Sequence, residues 1–239
     1  MTLPVPPWEQ RAPKRRPAKL PLSREAILAA AFRILDAEGL DAVTMRRIAD
    51  ELDTGPASLY AHVANKDELY ALLLDQAAGE MRLSEPSAEH WQDRAKEFIR
   101  ELERVLVSHK DLGRAALARI PTGPNSLAAS EALLALLRAG GVPDQDCAWA
   151  ADILSLYAVA HAYENGLHLL QAGGEEAGIA YVAAIGQYFR QLPTDRFPNI
   201  VELAGLLTTG DGDVRFEFGL DLLIRGLASR AADAKRDHG

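Results

Sequence analysis

A tight turn between two short helical segments constrains the fold of this chain more than any other feature. Residues 53–56 read Asp-Thr-Gly-Pro, a run that favours a turn and places Pro56 at the first position of the next helix. The preceding segment begins after Thr44, a residue type that caps helix N-termini, and it carries its apolar residues on one face. The sequence therefore predicts a helix-turn-helix whose second, very short helix spans residues 57–62.

Further helices flank this motif on both sides. Ser23 is a plausible N-cap for a first helix, in which apolar residues recur at helical spacing until Gly39 stops them. Asn65, with Glu68 three residues later, resembles a capping box at the start of a fourth helix. Residues 1–22 contain six prolines, which deny helical hydrogen bonds and favour an extended, flexible arm.

After Ser84 the pattern changes from short helices to longer ones. Apolar spacing and stop signals predict helices at residues 89–109, 111–119, 127–137, 144–170, 175–191 and 214–230. Residues 193–213 are interrupted by prolines and glycines, and we expect this stretch to be broken. No alternating segment of strand length stands out, so the predicted fold class is all-α.

The distribution of charge is more informative than the net charge of −8, which is unusual for a protein that binds nucleic acid. Residues 71–239 carry 16 basic and 24 acidic side chains, so residues 1–70 are neutral overall. From Arg11 to Arg24 there are six basic residues and no acidic one. The N-terminal part can therefore meet phosphate groups. The residues leave open whether the arm contacts DNA or is a solvated tail.

Composition excludes several classes of protein. No apolar run approaches the roughly 20 residues of a membrane span, and residues 1–10 lack a signal core, so we expect a cytoplasmic protein. The single cysteine, Cys147, cannot form an internal disulfide. The sequence has no nucleophile elbow, glycine-rich phosphate loop or HExxH motif, which argues against an enzyme.

The short second helix has side chains suited to reading DNA. Leu59 and Val63 lie four residues apart and can anchor it inward, which leaves small residues, hydroxyls and an imidazole outside. Arg46 and Lys66 are placed to contact phosphates. The predicted DNA-binding residues are Thr44, Arg46, Gly55, Pro56, Ala57, Ser58, Tyr60, His62 and Lys66. The alternative is that Tyr60 packs in the core and His62 is merely a surface residue.

Several motifs resemble the TetR family of transcriptional regulators. Residues 44–49 read Thr-Met-Arg-Arg-Ile-Ala, and residues 59–66 read Leu-Tyr-x-His-Val-x-Asn-Lys, as in the DNA-binding domain of that family. Trp-Gln-Asp at residues 91–93 and Phe-Glu-Phe-Gly-Leu at residues 216–220 resemble the C-terminal domain of its tetracycline-repressor branch. The resemblance covers about residues 23–230.

The resemblance implies a repressor that binds a palindromic operator as a homodimer and is released by a small-molecule effector. It implies that Arg46, Ser58, Tyr60, His62 and Lys66 touch DNA. The expected domains are the basic arm at residues 1–22, a three-helix helix-turn-helix DNA-binding domain at 23–70, and a larger helical effector-binding and dimerisation domain at 71–239. No cofactor and no membrane partner are expected.

Three positions depart from the family pattern. Asp53 stands where a turn glycine is usual, and aspartate tolerates the left-handed conformation. Ala116 occupies the place of the histidine that reaches the drug-bound metal in tetracycline repressors, and Phe98 replaces a polar ligand contact. Tetracycline with magnesium is therefore not the expected inducer.

The effector cavity is expected among the helices that begin near residues 89, 111, 127 and 144. Its predicted walls are Phe98, Leu102, Leu106, Leu112, Trp149, Ile153 and Tyr157. Each of these side chains could equally belong to an ordinary hydrophobic core. The assignment of the set to a cavity therefore rests on the analogy with the family.

The final helix carries more apolar surface than one neighbour requires, which predicts a dimer interface. The predicted interface residues are Phe216, Leu220, Leu223, Ile224 and Leu227, with Phe218 and Leu222 beside them. Together with the helix at 144–170, this helix would form a four-helix contact related by a twofold axis. The two reading helices would then lie about 34 Å apart, one turn of DNA.

His161, Glu164 and His168 share one face of the long helix, a spacing that would permit a metal. A polar cluster at the dimer contact is the commoner outcome, and no metal is expected. Two alternatives to the effector-controlled repressor stay open at this point. One is a DNA-binding regulator without an effector, and the other is a helical metal-dependent enzyme.

Overall fold

A computed structural model describes residues 22–117, 119–171, 175–209 and 212–237, with backbone only at 166–171, 175 and 237. These residues form eleven α-helices and one short 3-10 helix, Leu40–Ala42, and none of them lies in a strand. The helices are α1 (Arg24–Glu38), α2 (Met45–Glu51), α3 (Pro56–Leu59), α4 (Lys66–Ala78), α5 (Trp91–Ser108), α6 (Leu112–Ala116), α7 (Pro124–Ala139), α8 (Asp144–Gln171), α9 (Glu175–Arg190), α10 (Pro198–Leu207) and α11 (Gly212–Asp237). The all-α prediction is confirmed, whereas the predicted arm at residues 1–21 lies outside the described residues.

The N-terminal helices begin at the predicted caps. Ser23 Oγ accepts a hydrogen bond from the Ala26 amide at the start of α1, and Thr44 Oγ1 accepts one from the Arg47 amide at the start of α2. Asp53 has a φ of 48°, the left-handed conformation expected of it in the turn before α3. The helix caps and the turn are therefore encoded locally in this part of the chain.

The C-terminal part differs from the prediction in two helices. α10 occupies residues that we expected to be broken, because Pro198 stands at its first position, where a missing amide costs nothing. α11 is longer than predicted and runs to Asp237. α10 packs on α9, and α9 in turn packs on α8.

α5 and α8 form the central helix pair of the larger part, with α7 and α11 packed against both. The short α6 lies directly on α8, where Gly113 makes the approach possible. A Cβ added to Gly113 would lie 2.9 Å from the Tyr163 backbone nitrogen, closer than van der Waals contact permits. The position of α6 is therefore fixed by the backbone of α8.

α4 connects the two parts of the chain. It packs against α1 on one side and against α5, α6 and α7 on the others. The predicted domain boundary after residue 70 falls inside this single helix, which continues to Ala78. Along the described residues, no helix combines the length and the apolar character that crossing a membrane requires.

Candidate DNA-binding surface and effector cavity

α3 is held by two buried anchors and shows its other residues to solvent. Leu59 and Val63 are fully buried, as their spacing predicts. Tyr60 is 53% exposed, so it does not pack in the core. Of the predicted DNA-binding residues His62 is half-buried, and the exposed ones are Thr44, Arg46, Gly55, Pro56, Ala57, Ser58, Tyr60 and Lys66.

The connection between α3 and α4 is fixed by polar contacts. Arg24 of α1 donates from Nη2 to the His62 carbonyl oxygen at 3.1 Å and pairs with Glu68 at 3.2 Å. Asn65 Oδ1 accepts from the Glu68 amide at 2.8 Å, which caps α4. The Glu68 carboxylate accepts from the Ala64 amide, one residue before the position a capping box uses. Polar contacts therefore hold α1, the connection after α3 and the start of α4 together.

Neighbouring arginines of α2 differ in their surroundings. Arg46 is exposed. Arg47 instead donates to Glu38 at 2.8 Å and to Glu51 at 3.1 Å, and these carboxylates raise its pKa. Arg47 is thus engaged within the chain, which agrees with its omission from the predicted DNA contacts.

A cavity of about 510 Å³ lies between α4, α5, α7 and α8, within the usual size range of ligand pockets. α4 supplies four of its wall residues, Ala71, Leu74, Ala77 and Ala78. Three predicted wall residues, Phe98, Leu102 and Leu106, do line it from α5. Ala116 of α6 and the loop at 119–123 also line the cavity, and the hydroxyls of Thr122, Ser126, Ser130 and Ser155 add polar groups to the mostly apolar wall.

Four predicted wall residues lie outside the cavity, so the prediction is wrong for them. Leu112 is fully buried in the core, and Trp149 and Ile153 are exposed on the outside of α8. Tyr157 donates from its hydroxyl to the Phe216 carbonyl oxygen at 3.0 Å, outside the cavity. The prediction chose the wrong side of α8, because the residues that face the cavity are Ala151, Ser155 and Val159, two positions out of register.

α11 also presents a different face from the one predicted. Phe216, Leu220 and Ile224 are buried against the chain's own core before any partner is added, so they are not available as a dimer surface. Leu223 and Leu227 are half-buried against the same core. The prediction for the first three is therefore wrong, because the most apolar stripe of α11 is used to fold the protomer.

The exposed apolar stripes lie on the outer sides of α8 and α11. Trp149, Ile153 and Leu156 follow each other at helical spacing on α8, and each is at least half exposed. Phe218 and Leu222 do the same on α11. α8 and α11 pack against each other within the chain, so the two stripes belong to neighbouring helices.

Two of the three residues whose spacing would permit a metal have other partners in the structure. His161 is buried, with Nδ1 3.0 Å from Glu103 Oε1 and Nε2 3.2 Å from the Gly212 carbonyl oxygen. Glu164 pairs with Arg215, and the side chain of His168 lies outside the described residues. In the side chains that are described, no group of three or more His, Cys, Asp or Glu could hold a metal ion.

The junction of α5 and α6 is tied to α1 and the 3-10 helix. Arg114 of α6 makes two hydrogen bonds to the Asp41 carboxylate and holds the pKa of that carboxyl below its ordinary value. His109 has Nδ1 3.1 Å from Asp36 of α1 and Nε2 3.3 Å from Glu80, just after α4. α6, which lines the cavity, therefore contacts the 3-10 helix, and the residue that follows α5 contacts α1.

The family assignment follows from comparison with known proteins. A family model described as "Bacterial regulatory proteins, tetR family" matches residues 27–73, and one described as "Tetracyclin repressor-like, C-terminal domain" matches residues 84–231. The chain belongs to the TetR family. As a TetR-family protein it is a DNA-binding transcriptional regulator, as its named relatives are, rather than an enzyme.

Individual TetR-family relatives extend the match over nearly the whole chain. An HTH-type transcriptional regulator of Saccharopolyspora erythraea is 34% identical, over 92% of this chain and 91% of its own. The HTH-type transcriptional repressor DrrR1 of Streptomyces coeruleorubidus is 31% identical, over 92% and 82%. The crystal structure of the TetR-family protein ActR of Streptomyces coelicolor in complex with actinorhodin is 43% identical, with a TM-score of 0.82 over 90% of this chain and 99% of that one.

Proposed function

We propose that this chain is a cytoplasmic repressor that binds a palindromic operator as a homodimer and leaves it when an aromatic, mostly apolar effector fills the cavity. The single observation that carries this proposal is the position of α4. Its first residues follow the reading helix α3, and its later residues form one wall of the cavity. A ligand that changes the cavity therefore acts on the helix that orients α3.

The DNA contact is assigned to α3 and its surroundings. Pro56, Ala57 and Ser58 are small and exposed at the start of α3, so the helix can approach base edges closely. Tyr60 and His62 supply hydrogen-bonding groups, and Arg46 and Lys66 flank them with positive charge. Thr44 and Gly55 lie at the N-terminal ends of α2 and α3, where backbone amides favour phosphate oxygens.

The signal is assigned to α6 and α4 together. Ala116 lines the cavity at the end of α6, and Arg114 of the same helix binds Asp41 beside α1. An effector that binds best with α6 displaced would move these contacts and change the separation of the two α3 helices in a dimer. Coupling of this kind is worth about 1 to 3 kcal/mol.

The cavity favours an effector with a large apolar surface and a few hydrogen-bonding groups. Its walls are mostly aliphatic, with the ring of Phe98, the guanidinium of Arg119 and hydroxyls on α7, α8 and the 119–123 loop. Ala116 offers no imidazole for a metal-bound drug, which argues against tetracycline with magnesium. Actinorhodin, the ligand named in the similar ActR structure, is the first compound to test.

The dimer contact is assigned to the outer stripes of α8 and α11. Trp149, Ile153 and Leu156, with Phe218 and Leu222, form exposed apolar surface on two adjacent helices. Monomeric proteins seldom leave such surface in contact with water. Pairing two copies through α8 and α11 would bury it in a four-helix contact, with the twofold symmetry that a palindromic operator requires.

The test uses operator fragments selected from the source genome with the purified full-length chain. Fluorescence anisotropy would follow binding of a labelled fragment while actinorhodin is added, and we expect the fragment to be released. Ser155→Trp fills the cavity from α8 and should reduce the response by at least about tenfold, equivalent to about 1.4 kcal/mol. Ala128→Trp, at an exposed position of α7 outside the cavity, is the control and should respond as the wild type does.

Binding to a fragment that no compound releases would favour the regulator without an effector. Failure to bind any selected fragment, even at low salt, would overturn the assignment of the DNA surface.

A further inference from the structure

We propose that the effector of this chain carries an acidic group, a carboxylate or an acidic phenol, and that Arg119 binds this group in exchange for Asp67. The inference rests on the proposed function of the cavity as the effector site. It adds the chemical class of the ligand and the contact through which binding reaches the DNA-binding part.

The composition of the cavity wall points to an anion. Among the described residues that line it, Arg119 is the one charged side chain. The others are apolar or carry hydroxyls, such as Thr122 and Ser126 in the same end of the cavity. A cation beside an apolar wall binds an anionic ligand more strongly than it would in water, and the planar guanidinium matches a carboxylate with two hydrogen bonds.

Arg119 is held by partners that are easily exchanged. Its Nη2 donates to Asp67 Oδ1 at 2.9 Å, and its guanidinium lies 5.4 Å from the centre of the Tyr70 ring. The Asp67 side chain is 84% exposed, so this ion pair is largely solvated and contributes little to stability. If Arg119 turned to a ligand, the Asp67 carboxylate would return to water at small cost.

The exchange would also act on α4. Asp67 lies in the first turn of α4, next to the cap residue Asn65 that follows α3. Tyr70, one turn later, donates from its hydroxyl to the Leu40 carbonyl oxygen. Arg119 thus ties the 119–123 loop at the cavity to the start of α4. An acidic ligand that takes Arg119 removes this tie, whereas a neutral ligand leaves it in place.

The test compares two probes that differ in one group. Anthraquinone-2-carboxylate carries the acid, and 2-(hydroxymethyl)anthraquinone is its neutral counterpart. Their dissociation constants for the full-length protein would be measured by calorimetry. We expect the wild type to bind the acid at least about tenfold more tightly, the usual value of a charge-assisted hydrogen bond. Arg119→Gln should abolish this preference and leave binding of the neutral probe unchanged.

Two further variants make the result specific. Arg138→Gln removes a similar ion pair, with Asp144, outside the cavity, and it should keep the preference for the acid. Asp67→Asn removes the competing carboxylate and should tighten binding of the acid by about two- to fivefold, the strength of an exposed ion pair. Asp67→Asn decides the matter even if Arg119→Gln does not fold.

Equal affinity of the wild type for the two probes, no binding of the acid, or a preference that survives Arg119→Gln would each overturn the proposal. The proposed function is judged separately, by release of the operator fragment in the same samples. If the neutral probe released the operator fragment as efficiently as the acid, the cavity would still be the effector site, but an acidic group on the effector would not be required.

Discussion

The carboxylate of Asp75 in α4 accepts a hydrogen bond from the Ser126 backbone amide of α7, at 2.9 Å. Ser126 lies in the first turn of α7, where backbone amides have no partner within the helix. Asp75 is nearly buried, and Asn125 donates to its backbone oxygen as well. Gly123 leaves room for the carboxylate, since an added Cβ would meet it. α4, which follows the DNA-binding helix α3, therefore caps α7, which lines the cavity.

Asp75→Ala should destabilise the protein by about 1.5 to 3 kcal/mol, because the Ser126 amide loses a charged, buried acceptor. Urea unfolding followed by circular dichroism would measure the loss. Asp50→Ala, at an exposed position of α2, is the control and should change the free energy of unfolding by less than about 0.5 kcal/mol. Equal effects of the two substitutions would show that the contact with α7 contributes nothing.

Tyr60→Ala should weaken operator binding by about 1 to 3 kcal/mol, the range of a lost base contact, and leave the Tm nearly unchanged. The reason is that Tyr60 is more than half exposed and lies outside the buried core. Anisotropy titrations and a thermal melt would test both points. Tyr181→Ala changes a somewhat more exposed tyrosine on α9 and should bind the operator normally. A large drop in the Tm of the Tyr60 variant would contradict this account.

Leu222→Glu should convert the dimer to monomers, because it places two symmetry-related charges in the apolar contact proposed for α11. Sedimentation velocity at micromolar concentration would show the change in mass. Leu127→Glu is a close control, since Leu127 on α7 is 54% exposed and Leu222 is 55% exposed. If the Leu222 variant stays dimeric, the interface lies on another surface.

Glu101→Gln should make the free energy of unfolding less dependent on pH in the acid range. Arg104 and the Arg82 backbone amide hydrogen-bond the Glu101 carboxylate and lower its pKa from 4.5 to about 2. The folded state therefore gains stability from this group above pH 4.5 and loses it as the pH falls towards 2. The difference in unfolding free energy between wild type and variant should be greatest at neutral pH and vanish near pH 2. Glu131→Gln on the surface of α7 is the control for the loss of one exposed carboxylate.

Local chemistry made the N-terminal part predictable. Ser23, Thr44 and Asn65 cap their helices with side-chain oxygens, and Asp53 takes the left-handed turn, as these residue types favour. Such signals depend on a few neighbouring residues and survive any tertiary arrangement. α5 was predictable for another reason. Its apolar residues form one stripe between charged ones, so the inward face that carries Phe98 was evident from the sequence.

The buried and exposed faces of α8 and α11 could not be predicted from the sequence in the same way. α8 has apolar residues all around it, since it packs within the chain on one side and exposes Trp149 and Ile153 on another. With no polar side to orient the helix, its spacing fits two registers equally well. On α11 the stripe of Phe216 and Leu220 was the strongest signal, and the fold uses it internally. The weaker stripe, with Phe218, is the exposed one.

The continuity of α4 across both parts of the chain also bears on the engineering of hybrid regulators. A hybrid that takes its DNA-reading segment from a homologue and is joined after residue 70 would combine the first turn of one α4 with the cavity wall of another. Asp67 and its partner Arg119 would then come from different parents, whereas Asp75 and Ser126 would stay together. A junction at residues 79–90, between α4 and α5, keeps the helix whole but separates both pairs, so the α4 of one parent would have to fit the cavity of the other.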